Sequence, residues 1–97
     1  MEQLCVLKQV YYQLLEKLSS RQFQMKLVSV MNKTNDKKYN ISLQLIEMLS
    51  TTIEMSLING NVRRSLHYCV MLDHEIERLQ KLVQDDFNHY IAGRLLQ

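Results

Sequence analysis

No proline occurs anywhere in this 97-residue chain, and glycine occurs only at Gly60 and Gly93. Strands and tight loops ordinarily need those residues as punctuation, so their scarcity leaves long helices as the structure the chain can form. Apolar residues recur at three- and four-residue intervals through almost the whole length, which is the period of amphipathic helices. The expected fold is all-α, a long antiparallel helical hairpin or three-helix bundle with coiled-coil-like packing, in a single domain over residues 1–97. Such a chain has little room for an active site. Most of what it offers is apolar surface that needs covering.

Three helices are expected, over about residues 2–31, 36–58 and 62–92. The first has a seam of Leu4, Leu7, Tyr11, Leu14, Leu18, Arg21, Met25 and Val28, with Val10 and Leu15 widening it. This 3,4 alternation is the spacing of helices wrapped on each other. Ser19-Ser20-Arg21 interrupts the apolar run and marks a bend or exposed turn. The clearest loop is Asn32-Lys33-Thr34-Asn35-Asp36, because Asn and Asp compete with helical hydrogen bonding. In the second helix Leu45, Ile46, Leu49, Ile53 and Leu57 share a face, with Leu43 and Met48 at its margins. Gly60 fits the left-handed position just past a helix end, and Asn61 fits the cap of the next helix. The third helix repeats the 3,4 spacing in Cys69, Leu72, Ile76, Leu79, Val83 and Tyr90, broadened by Leu66, Leu82, Phe87 and Ile91.

Composition narrows the function classes. Apolar residues make up 46% and charged residues 23%, as in a folded chain rather than a disordered one. No apolar stretch approaches the roughly 20 residues of a bilayer span, so no membrane crossing is expected. The run Met1-Glu2-Gln3-Leu4-Cys5 does not read as a secretion signal. Two cysteines, Cys5 and Cys69, are too few for a disulfide framework. Buried, reduced thiols are expected, and with them a cytoplasmic setting. The net charge of +2 is too small to argue for nucleic acid. Charge is distributed unevenly, with a basic stretch from Lys17 to Lys38 and an acidic one from Asp73 to Asp86. These could attract each other within the fold or across a dimer, or lie on separate solvated faces.

Residues that could carry chemistry do not assemble into sites. His67 and His74 are two helical turns apart, about 10 Å along the axis, which is too far to share one metal. His89 follows Asp85 by four residues, a surface pair. No glycine-rich phosphate loop, nucleophile on a tight turn or paired-carboxylate arrangement occurs, and neither cysteine has basic neighbours that would activate it. No enzyme, cofactor or metal is expected. Lys33, Lys37, Lys38, Arg63 and Arg64 sit near two connections that a reversing chain puts at opposite ends, so one continuous phosphate-tracking stripe is not expected. Met25, Met31, Met48, Met55 and Met71 lie in the periodic regions. They either fill gaps in the core or form an adaptable surface for partner helices.

Across the second boundary the chain reads Met55-Ser56-Leu57-Ile58-Asn59-Gly60-Asn61-Val62-Arg63-Arg64-Ser65-Leu66, then Leu72-Asp73-His74-Glu75-Ile76-Glu77-Arg78-Leu79. A helix, a polar Gly/Asn break and a helix with this acidic-apolar stretch resembles the small helical secretion chaperones of the FliT and FlgN kind, over about a quarter of the chain. The resemblance implies a bacterial cytoplasmic chaperone that shields an aggregation-prone secreted subunit in a helical groove. The residues alone lead to a non-enzymatic protein-binding module, a chaperone or adaptor that holds a partner's helix on an apolar strip. The expected contacts are Leu72, Ile76, Leu79, Val83 and Phe87, with Met48 and Met55 at the groove edge. A structural subunit of an obligate homo- or hetero-oligomeric helical assembly, including a homodimer, is the alternative. A nucleic-acid-binding regulator comes third.

Overall fold

Ser20 is where the first apolar run is interrupted, and the helix breaks there. The computed structural model describes residues 2–34 and 37–95, and among these it has four helices and no strand: α1 (Glu2–Ser19), α2 (Arg21–Thr34), α3 (Lys37–Ile58) and α4 (Val62–Leu95). The run expected as one helix over 2–31 is therefore two. Ser20 caps the second of them, its Oγ accepting from the Phe23 amide at 3.5 Å. Gln24 reaches back to the Leu18 carbonyl, 2.6 Å away, which gives an orphaned α1 carbonyl a partner.

The break also resets the helical phase. Leu7, Tyr11 and Leu14 are buried on α1 as expected, but α2 buries Phe23, Leu27 and Val30 and leaves Met25 and Val28 exposed. Asn32, Lys33 and Thr34, expected in a loop, continue α2. The remainder of that expected loop, Asn35 and Asp36, lies outside the described residues.

The turn between α3 and α4 follows from three residues. Gly60 has φ of 71°, a conformation glycine adopts without a Cβ penalty. Its amide donates to the Leu57 carbonyl, and the Asn61 amide donates to Ser56, which together close the end of α3. The Asn61 side chain then accepts from the Arg64 amide at 3.1 Å and caps α4.

Cross-helix bonds give the directions. Tyr39 on α3 bonds Asp86 on α4, while Ser42 bonds Glu75, so these helices are antiparallel. Lys17 pairs with Asp73 and Lys26 bonds Gln84, so α1 and α2 run alongside α4 in its own sense. The outcome is a rod of 57 × 21 × 15 Å.

The core follows the 3,4 spacing. Tyr39, Ser42, Ile46, Leu49, Ile53 and Ser56 of α3 meet Ser65, Cys69, Leu72, Ile76, Leu79 and Val83 of α4. Three serines among these are small enough for a close helix approach. Ser42 and Ser65 have hydroxyl partners at 2.8 and 2.7 Å, so their burial leaves no orphaned polar group.

Basic and acidic stretches meet within the fold at Lys17–Asp73 (3.3 Å) and Lys38–Asp86 (3.0 Å). Both pairs are partly solvated, so each contributes at most about 1 kcal/mol.

Tyr11 ties α1 to α3 by donating to Glu54 Oε1 at 2.8 Å. Burial, reinforced by the Glu54 carboxylate, pushes its phenol up to about 12. The raised folded value means that its contribution is complete below the ordinary value of 10.0 and is lost as pH rises towards 12. A spectrophotometric titration of the chain minus that of Tyr11→Phe should show the missing phenol ionising near pH 12. A difference centred near 10 would mean that the Tyr11–Glu54 bond does not persist in solution.

Candidate functional site: the outer face of the α3–α4 hairpin

Helix α3 carries two apolar seams where a surface helix ordinarily has one. The first is the core seam described above. The second is Ile41, Leu45, Met48, Thr52 and Met55, spaced four and three residues apart. It faces outward: Ile41 is 63%, Leu45 38%, Met48 66% and Met55 60% exposed. Leu45, expected on the core face, therefore belongs to this outer seam. Between Tyr39 and Ile58 the only charged residues are Glu47 and Glu54, so few ionic groups interrupt the surface.

On the same side of the hairpin α4 contributes Arg64, Tyr68, Met71, Glu75, Arg78 and Leu82. Two observations set the levels of the helices against each other. A shallow groove is lined by Thr52, Met55, Ser56, Asn59, Asn61 and Arg64, and Ser42 bonds Glu75. Arg64 lies over the Tyr68 ring at 5.6 Å, and Arg78 closes on Glu75 at 2.6 Å. The hydrogen bond from Arg78 holds the Glu75 carboxyl below its usual range, against the opposing effect of burial. That carboxylate is thereby neutralised inside the chain.

The expected contact residues fall on two sides of the molecule. Leu72, Ile76, Leu79 and Val83 are essentially inaccessible and pack among the chain's own helices. A partner could touch them only if the helices parted. Phe87 is half-buried beside Lys26, whose ammonium lies 5.8 Å from its ring centre. Met48 and Met55 lie on the open face. None of the five periodic methionines is in the buried core: Met31 is half-buried, and Met25, Met48, Met55 and Met71 are exposed. Met31 packs against the core, whereas the four exposed methionines do not fill gaps in it. A smaller apolar strip, Val6 and Val10 of α1 with Leu66 and Val70 of α4, is also exposed.

The remaining candidates assemble nothing. Among the described residues no group of three or more His, Cys, Asp or Glu side chains is placed to hold a metal. Cys69 is buried, and burial pushes its thiol up, away from reactivity. Cys5, expected to be buried, is exposed on the first turn of α1. Lys37 and Lys38 begin α3 while Arg63 and Arg64 follow its far end, so the basic clusters are a helix length apart. By length and composition alone α3 would be long and apolar enough to cross a membrane, with mean hydropathy 1.3 over its best window, a test that the core helix of a soluble protein also passes. Its two seams are the source of that hydropathy, and one of them is buried against α1 and α4.

Comparison with protein-family models, curated proteins and solved structures finds no match to this chain.

Proposed function

We propose that the chain is a non-enzymatic helical protein-binding module, a small cytoplasmic chaperone or adaptor whose contact surface is the outer face of the α3–α4 hairpin. The observation that carries this reading is the second seam of α3. A helix that buries one 3,4 seam and exposes another in the same period is built to be packed on both sides. Exposed methionines suit that seam to a helical partner, because an unbranched thioether adapts to irregular side chains at small cost. In this reading Met48 and Met55 touch the partner. Leu72, Ile76, Leu79 and Val83 act from beneath, as the rigid floor of the hairpin. The architecture that goes with it is a three-rod helical bundle with coiled-coil-like packing, its first rod broken at Ser20. The resemblance to small helical secretion chaperones points the same way. It motivates a search for a client among secreted, aggregation-prone subunits.

A photo-crosslinking residue in place of Met48 or Met55 should capture another polypeptide chain in cells. The same residue in place of the exposed Glu16 on α1 should not. Met48→Asp with Met55→Asp should lower capture at least tenfold while leaving helicity intact, since neither side chain supports the core. Equal crosslinking from all three positions would sink the reading. A chain that is insoluble or unstructured alone would instead favour the structural-subunit alternative.

A further inference from the structure

We infer that the polypeptide which covers the outer seam is a second copy of this chain, joined about a two-fold axis parallel to the helices. The inference rests on the reading of that seam as a protein contact and names its occupant. The axis direction is selected by where residues fall along the hairpin. Because α3 and α4 are antiparallel, a two-fold along the rod lays each α3 against the α4 of the other copy and keeps every residue at its own level. Met48 then meets Met71 of the second copy, Thr52 meets Tyr68, and Ile41 meets Leu82. All six side chains are exposed or half-buried in the single chain. The product is a four-helix ring in which each α3 lies between two antiparallel α4 helices, with opposed dipoles on either side.

Charge gives the second argument. Lys37 and Asp85 are exposed residues next in sequence to Lys38 and Asp86, which pair across the hairpin at 3.0 Å. Each is displaced by one residue to the outer rim of its helix, and the two lie at the same level. The parallel two-fold sets Lys37 of each copy beside Asp85 of the other, so the complementarity occurs twice. A two-fold across the helices reverses the levels and sets Arg64 over the Arg78–Glu75 pair of the second copy, which is already neutralised within its own chain and offers Arg64 no free carboxylate. Charge therefore discriminates between the two ways of closing the dimer.

The area is adequate. Helix α3 is 22 residues long, about 33 Å, and two helices side by side are roughly 20 Å wide. A face of that size is of the order of the ~800 Å² that each partner contributes to a standard stable interface.

Light scattering during size exclusion, with circular dichroism on the same fractions, tests the inference. The wild-type chain should have twice its 11.6 kDa mass at micromolar concentration. Met48→Asp and Met71→Asp should each return it to the single-chain mass with unchanged helicity. Lys37→Asp should weaken association by about tenfold, and Lys37→Asp combined with Asp85→Lys should restore it. A wild-type chain that stays at 11.6 kDa up to hundreds of micromolar overturns the second copy as occupant. So does a dimer indifferent to Met48→Asp and Met71→Asp. If Met48 in that monomer still crosslinks to a different protein, the protein-binding reading survives while the dimer falls.

Discussion

Ile76→Asp, or Leu79→Asp, unfolds the isolated chain. Both side chains are fully inaccessible members of the core that α3 and α4 share. The substitution removes the transfer energy of a buried aliphatic residue, about 2–5 kcal/mol with the cavity it leaves. It also places a carboxylate in an apolar, water-excluded core, which costs several kcal/mol more. A chain of this length has a stability of roughly 5–15 kcal/mol, so either change consumes most of it. Far-UV circular dichroism should show loss of the cooperative thermal transition. Met48→Asp, on the exposed seam, should keep a cooperative transition and, compared as a single chain at high dilution, stay within about 0.5 kcal/mol of wild type. The contrast assigns the two seams. If Ile76→Asp stays helical and cooperative while binding is lost, the last helix offers its inner face to a partner and the hairpin opens to do so.

Helical class and the second boundary were legible because both depend on local chemistry. A chain without proline cannot easily stop a helix, and Asn59-Gly60-Asn61 carries its own closing and capping bonds. Which face of each helix would be buried was harder to read. The seam through Arg21, Met25 and Val28 continued the α1 phase, but the cap at Ser20 starts a new helix with its own phase, and Phe23, Leu27 and Val30 turn inward instead. The capping hydroxyl was visible in the sequence, but the rotation it introduces depends on how α2 settles against α4. On α3 two overlapping 3,4 patterns run side by side, and periodicity alone does not say which is inside. The small residues decide it. Ser42 and Ser56 mark the close α3–α4 contact, whereas Ile41, Met48 and Met55 on the other seam are larger and lie outside. Serine in a helix ordinarily reads as surface, so the expected face held Ile46, Leu49, Ile53 and Leu57 correctly but took in Leu45 and missed Ser42 and Ser56.

Tyr39 is fully buried, and two substitutions separate what its ring and its hydroxyl contribute. Tyr39→Ala should lose about 3–5 kcal/mol, the cost of an aromatic cavity in a packed core. Tyr39→Phe keeps the ring and removes the donor to Asp86. Asp86 retains Lys38 at 3.0 Å, so the loss should be smaller, about 1–2 kcal/mol. The pH dependence identifies the bond itself. Burial pushes the Asp86 carboxyl up, but hydrogen bonds from Tyr39 and Lys38 more than offset that, and it lies below its ordinary value of 3.8. A depressed folded value contributes stability that is complete above the ordinary value and is lost as pH falls through the folded one. Removing the Tyr39 hydroxyl lets the folded value rise, so less stability remains to be lost in acid. Chemical denaturation of wild type and Tyr39→Phe at pH 7 and pH 3 should therefore show the two proteins closer in stability at the lower pH. An equal gap at both would mean that the hydroxyl acts on packing alone and that Lys38 holds the carboxylate by itself.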